Sequence, residues 1–181
     1  MSFVRRLATE ADIGQLENLI PLSARQLQAD YYTPAQIEAA LGPVFAVDKR
    51  LIEDGTYFVA EAETRIVGCG GWSKRETLFG GADGPHAEGS RELDPACEPA
   101  RIRAFFVHPE WARQGIGRAL MQACEEAARA ARFRDMELVA TLAGEPLYSA
   151  LSYRAVERYA IELPGGLEMV VVRMHKRIAE A

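Results

Sequence analysis

Gly115 and Gly117 stand one residue apart between an apolar β-rich run and an amphipathic stretch. The run Phe105-Phe106-Val107 ends at His108-Pro109, and after the glycines Ile116, Leu120, Ala123, Cys124, Ala127 and Ala131 recur at helical spacing. A strand, a glycine turn and a helix start, in that order, make an anion site. The first N–H groups of a helix have no partner inside it, and the helix dipole places about half a positive charge there. Glycine lets a phosphate reach the backbone with no Cβ in the way. The alternative is that the glycines only let the helix pack closely on the sheet. Two other phosphate loops do not fit. The dinucleotide fingerprint needs a third glycine where Leu120 stands, and the P-loop needs a lysine after the second glycine, where Arg118 stands.

A wider pattern narrows the choice of anion. Val107-His108-Pro109, followed by Arg113-Gln114-Gly115-Ile116-Gly117-Arg118-Ala119-Leu120, closely resembles the pyrophosphate loop of the GCN5-related N-acetyltransferase superfamily. That loop reads Gln or Arg, two residues, Gly, one residue, then Gly or Ala, after a fourth strand. Glu145-Pro146-Leu147-Tyr148-Ser149-Ala150-Leu151-Ser152-Tyr153 resembles the family's helix ending in a tyrosine, and Arg6 to Asp12 its first strand and helix start. Two positions depart from the pattern: Ala112 stands where the loop has Gln or Arg, and Ser152 where the family usually has glycine.

The resemblance implies acetyl-CoA as acyl-donor co-substrate. Its pyrophosphate would lie on Arg113, Gln114, Gly115, Ile116, Gly117, Arg118 and Ala119, and its pantetheine arm along the backbone of Phe105, Phe106 and Val107. The fourth and fifth strands would splay to admit the thioester. A primary amine of a small molecule or peptide would attack directly, with an N–H near Val107 polarising the carbonyl. Tyr148 takes the family's position for the proton donor to the leaving thiolate, and its phenol is protonated at neutral pH. The same residues would also suit a non-catalytic acyl-CoA sensor. No metal is implied.

The acceptor is less defined. An amine of pKa about 10.4 must lose a proton before attack. Where several family members carry a glutamate on the fourth strand, this chain has Arg101 and Arg103, and arginine accepts no proton. Strand alternation puts both on one face with Phe105 and Val107. The pair either binds an anionic group of the substrate or pairs across the sheet with acidic residues. Glu61, Glu137 and His108 are the candidate bases. Tyr31 and Tyr32 either stack on the acceptor or pack in the core.

The elements that must position these residues follow from pattern and punctuation. A strand over 3–7 leads to a helix over about 10–28, with Thr9 as cap and a break or kink expected near Pro21. Thr33-Pro34-Ala35-Gln36 forms a capping box for a second helix, and Asp48 caps a third, short one. Thr56 to Glu61 and Arg65 to Trp72 read as a hairpin. Residues 74–100, rich in Gly and Pro, form a long loop, either disordered or merely decorative on one reading, or substrate-shaping on the other. Strands at 101–107 and 136–141 flank a helix over about 115–132 as a parallel crossover. A short helix over 146–151 and a hairpin of 156–163 with 167–176 complete the order. The fold class is α/β (α+β), a mixed sheet with helices on both faces in one 181-residue domain.

Bulk properties exclude several classes. A net charge of −5 with no basic tail argues against nucleic acid. No apolar run approaches the roughly 18 residues of a membrane span, and no signal peptide opens the chain. Three widely spaced cysteines make no disulfide framework, so a cytoplasmic setting is expected. A homodimer is in keeping with the resemblance.

Overall fold

Hydrogen bonding joins seven strands into one mixed sheet in the computed structural model, which describes residues 2–78 and 91–178. The strands are β1 (Val4–Leu7), β2 (Tyr57–Ala62), β3 (Arg65–Ser73), β4 (Ala100–Val107), β5 (Asp135–Thr141), β6 (Arg154–Leu163) and β7 (Leu167–Arg177). Their order across the sheet is β1-β2-β3-β4-β5-β7-β6. Every neighbouring pair is antiparallel except β4 and β5, which are parallel. The helices are α1 (Ile13–Leu27), α2 (Pro34–Ala40), α3 (Lys49–Glu53), α4 (Ile116–Ala130) and α5 (Glu145–Ala150). The fold is α+β, as the sequence predicts. None of the helices among the described residues is long and apolar enough to cross a membrane.

Helix starts follow the caps. The Thr33 hydroxyl accepts the Gln36 N–H at 3.2 Å, and Gln36 Oε1 accepts the Thr33 N–H at 2.8 Å. Asp48 Oδ1 accepts the Leu51 N–H at 3.3 Å. Leu16, Leu19 and Ile20 of α1 are buried with Leu51 and Tyr57 on one face of the sheet. On the other face Ile116, Leu120, Met121 and Cys124 of α4 pack against Val67, Ile102 and Leu138.

Three expectations change. α1 runs through Pro21 without a break. Pro21 lacks the N–H that would reach the Glu17 carbonyl, and Glu17 lies on the exposed side of the helix, where the loss of one such bond costs little. The 74–100 segment is not all loop. Arg75 bridges Glu92, the Leu93 N–H donates to the Lys74 carbonyl at 2.7 Å, and Leu93 enters the core; residues 79–90 lie outside the described part.

The third correction bears on the site. Cys69 pairs with Phe106 and Gly71 with Arg103, so Gly70 faces both Ala104 and Phe105. This is a β-bulge, and Ala104 turns left-handed at φ 55. The extra residue flips the alternation. Arg101 and Arg103 share the α1 face with Ala104 and Phe106, whereas Phe105 and Val107 cross to the α4 face. The four-residue stripe expected from strict alternation is therefore cut in two.

Candidate functional site

β4 and β5 pair only at Ala100–Met136 and Arg101–Glu137. Beyond those residues the strands part, as the resemblance implies, and the β4 bulge follows at Ala104 and Phe105. A cavity of about 300 Å³ fills the gap. Phe105, Phe106 and Val107 line it from β4, Leu138, Val139 and Thr141 from β5, and Leu147 and Tyr148 from α5. The Val107 N–H donates to the Ser23 hydroxyl at a long 3.3 Å.

The glycine turn lies at one end of this cavity, to which Ala112, Arg113 and Gly117 contribute walls. Arg113 (φ 65) and Gly115 (φ 86) are both left-handed, which folds the loop back over the start of α4. Among the described residues the N–H groups of Gly115, Ile116, Gly117 and Arg118 have no acceptor. They form a cradle of backbone donors at a helix start, suited to a diphosphate. Both arginines of the turn are exposed. Gln114 is exposed too, and its amide donates to the Glu110 carbonyl at 2.9 Å. Ile116 is buried over Gly68, where a Cβ would meet its Cγ2 at 2.5 Å, and the Ala119 carbonyl accepts from Arg5 at 2.7 Å. Gly117 serves packing too: a Cβ there would come within 2.8 Å of Leu147 Cδ2.

Tyr148 is buried on α5, edge-on to Phe105 at 6.3 Å and to Tyr153 at 6.2 Å. Among the described residues no group hydrogen-bonds its hydroxyl. Burial pushes its pKa up, so the phenol is protonated throughout the neutral range. Ser152, in the glycine position, adopts the left-handed conformation that glycine would (φ 69) and lets the Tyr153 N–H close on the Tyr148 carbonyl at 3.0 Å.

The arginine pair meets acidic partners. Arg101 binds Glu137 at 2.6 Å, and Arg103 lies 2.7 Å from Asp48. Arg103 lines the cavity and Arg101 does not. Tyr32 is buried, its hydroxyl donating to the Val170 carbonyl at 2.7 Å and accepting the Leu142 N–H at 2.8 Å; Tyr31 is exposed, and neither lines the cavity.

The three candidate bases stand apart from the cavity. Glu61 pairs with Arg6, and Glu137 is shared by Arg101 and Arg173. His108 is buried and touches Arg65; desolvation, then that cation, pushes its pKa down. Ser23, Gln28, Asp48 and Leu78 are among the cavity residues that the sequence reading did not single out as site residues. Only Asp48 carried a signal, as a helix cap.

Comparison with known proteins follows the geometry. The family model of the acetyltransferase (GNAT) domain matches residues 53–155, more than half of the chain. A GCN5-related N-acetyltransferase from Rhodopseudomonas palustris superposes with a TM-score of 0.72 at 19% identity, covering 98% of this chain and 97% of that one. PaiA N-acetyltransferase from Thermoplasma acidophilum, in complex with coenzyme A, gives 0.67 at 14% identity over 98% and 100%. YncA from Salmonella typhimurium, a putative acetyltransferase with acetyl-CoA, gives 0.65 at 15% identity over 100% and 96%. These likenesses are of fold. A search of curated protein sequences gives no match.

Proposed function

Because the chain belongs to the GNAT acetyltransferase family, we propose that it moves the acetyl group of acetyl-CoA directly to a primary amine of a small molecule or peptide. The observation that carries this reading is the cavity between the parted strands, with a cradle of free amides at one end and Tyr148 in its wall.

The residues present fit acetyl-CoA. Gly115, Ile116, Gly117 and Arg118 offer backbone N–H groups to a diphosphate, and Arg113 and Arg118 add charge from the exposed side. Gly117 keeps a side chain away from the cavity wall, which a Cβ would thicken. Past the bulge, Phe105 and Val107 have no strand on the β5 side, so their backbone is open to pairing with an amide-bearing arm. When bound, acetyl-CoA supplies an activated acyl group.

This chain's own groups then do three things. The Val107 N–H, held only by a long bond to Ser23, is the donor we assign to the acyl oxygen. The Tyr148 phenol gives its proton to the departing sulfur. The apolar walls, among them Phe106, Leu138 and Val139, exclude water that would otherwise consume the acyl group. Cys69, Cys97 and Cys124 are all free thiols, which suits work in a reducing, cytoplasmic compartment.

The test is thiol release from acetyl-CoA across a panel of amines, beside calorimetry of coenzyme A binding. The proposal expects binding and amine-dependent release. Binding with no release from any amine would identify an acyl-CoA sensor, and absence of binding would remove the assignment.

A further inference from the structure

Two buried oxygens on the cavity wall lack a hydrogen-bond donor. Asp48 and Gln28 both line the cavity, and Asp48 Oδ2 and Gln28 Oε1 have no donor among the described residues. Asp48 is only 2% exposed. Arg103 Nη2 lies 2.7 Å from that oxygen, an ionic contact in which no N–H is directed at it. The carboxylate is therefore charge-balanced and still has a lone pair to offer. Buried acceptors are rarely left in this state, and a ligand that brings donors relieves it.

We propose that Asp48, with Gln28 as a second acceptor, seats the ammonium of an apolar primary amine and takes its proton ahead of acetyl transfer. The inference rests on the acetyl-transfer reading above. The chemistry is complementary: both unmet groups are acceptors, and a protonated amine carries three N–H donors and the charge that a carboxylate prefers. Leu27, Val44, Phe45, Ile161 and Val171 form the neighbouring walls, which suit an aliphatic or aromatic arm and not a second charge. Burial, outweighing the nearby guanidinium, raises the Asp48 carboxyl above its ordinary value, so it holds a proton more readily than a surface aspartate.

Protons and bonds balance. The ammonium gives one proton to Asp48, which passes it to solvent. The freed nitrogen lone pair forms the bond to the acyl carbon as that carbon's bond to sulfur breaks, with the pair going to sulfur. Sulfur takes the Tyr148 proton, and a second proton from the nitrogen restores the phenol. Arg103 opposes the effect of burial by favouring the charged form of Asp48, the form that receives the ammonium.

The probe is n-hexylamine. Calorimetry would follow its binding to the protein saturated with coenzyme A, and thiol release from acetyl-CoA would follow turnover. Asp48→Asn keeps an oxygen for the Leu51 cap and should weaken hexylamine binding about tenfold or more. It should lower kcat/KM for the amine about 100-fold, the scale of a lost general base. Gln28→Leu, which touches neither the cap nor the arginine, should weaken hexylamine binding about tenfold and carries the test if Asp48→Asn fails to fold. In both variants coenzyme A should bind as in the parent protein. Unchanged hexylamine affinity in the folded variants would overturn the seat. Coenzyme A binding without thiol release from any primary amine would overturn the acetyl-transfer reading, and the seat with it, while leaving the donor site standing. Absence of coenzyme A binding in the parent protein would remove the donor site as well.

Discussion

The Tyr57 hydroxyl donates to the Ala104 carbonyl at 3.2 Å, reaching from β2 across β3 to the residue at which β4 turns left-handed. Gly71 makes the crossing possible. A Cβ on it would lie 3.0 Å from the Tyr57 ring and 2.8 Å from Leu51, so the ring passes over β3 where β3 has no side chain. The left-handed alanine is strained, and this hydrogen bond is part of what holds it. The bulge in turn puts Arg101 and Arg103 on one face of the sheet and Phe105 and Val107 on the other.

Tyr57→Phe keeps the ring and removes the anchor. It should destabilise the protein by about 1 kcal/mol, the net worth of one hydrogen bond, since the Cys69 thiol at 3.7 Å still reaches the same carbonyl. It should also weaken coenzyme A binding several-fold, because the bulge sets the direction of Phe105 to Val107. Thermal unfolding and calorimetry read the two effects. Unchanged coenzyme A affinity would show that the bulge holds itself.

Gly117→Ala tests the cradle. The new Cβ meets the far end of Leu147, a flexible group, so stability should change by less than about 1 kcal/mol. The methyl also thickens the cavity wall beside the free amides. Coenzyme A affinity should therefore fall about tenfold, or about 1.4 kcal/mol, while the fold persists. Equal losses in affinity and stability would mark Gly117 as a packing glycine only.

Local signals in the sequence were enough for the elements and the glycine turn. Thr33 with Gln36, Asp48, the Gly115 turn and the period of α4 all act within a few residues, and each appears where its chemistry requires. The parting of β4 and β5 was legible only through the family resemblance. What escaped was long-range. Nothing near Ala104 marks it as left-handed, and the hydrogen bond on its carbonyl comes from a tyrosine 47 residues earlier that passes a glycine in the strand between. The acidic partners of Arg101 and Arg103 lie 36 and 55 positions away, and neither pairing has a local pattern. Asp48 was readable as a cap because capping is local; its place on the cavity wall was not. Pro21 misled for the opposite reason, since a local rule was outweighed on the exposed side of the helix, where the loss of one bond costs little.

Ser152→Gly should stabilise the protein. Ser152 sits at φ 69, where a non-glycine residue costs about 1–2 kcal/mol, and glycine gives back roughly 0.5–1 kcal/mol of that through its freer unfolded chain. The net gain is up to about 1.5 kcal/mol, visible as a rise of a few degrees in Tm. A fall in Tm would mean that the serine side chain supplies a contact worth more than the strain.

Acid stability should depend on Asp12. Hydrogen bonds from Arg6 hold its carboxyl at about 2, below the ordinary 3.8. Its contribution is therefore complete above pH 3.8 and lost as the pH falls towards 2. Because Arg6 is 37% exposed, solvent screening holds the effect to about 1–2 kcal/mol. Denaturant unfolding of Asp12→Asn should show lower stability than the parent at pH 6 and a smaller difference near pH 2. A difference independent of pH would mean that the ion pair is not the cause.

The central claim is that this cavity performs acetyl transfer with Tyr148 as proton donor. Free-thiol release from acetyl-CoA with the best amine of a panel, compared between the parent protein and Tyr148→Phe, tests it most directly. Loss of a general acid should lower kcat about 100-fold while coenzyme A affinity stays within about twofold. Equal kcat in the two proteins would contradict the role given to Tyr148, and coenzyme A binding with no thiol release in either would contradict catalysis itself.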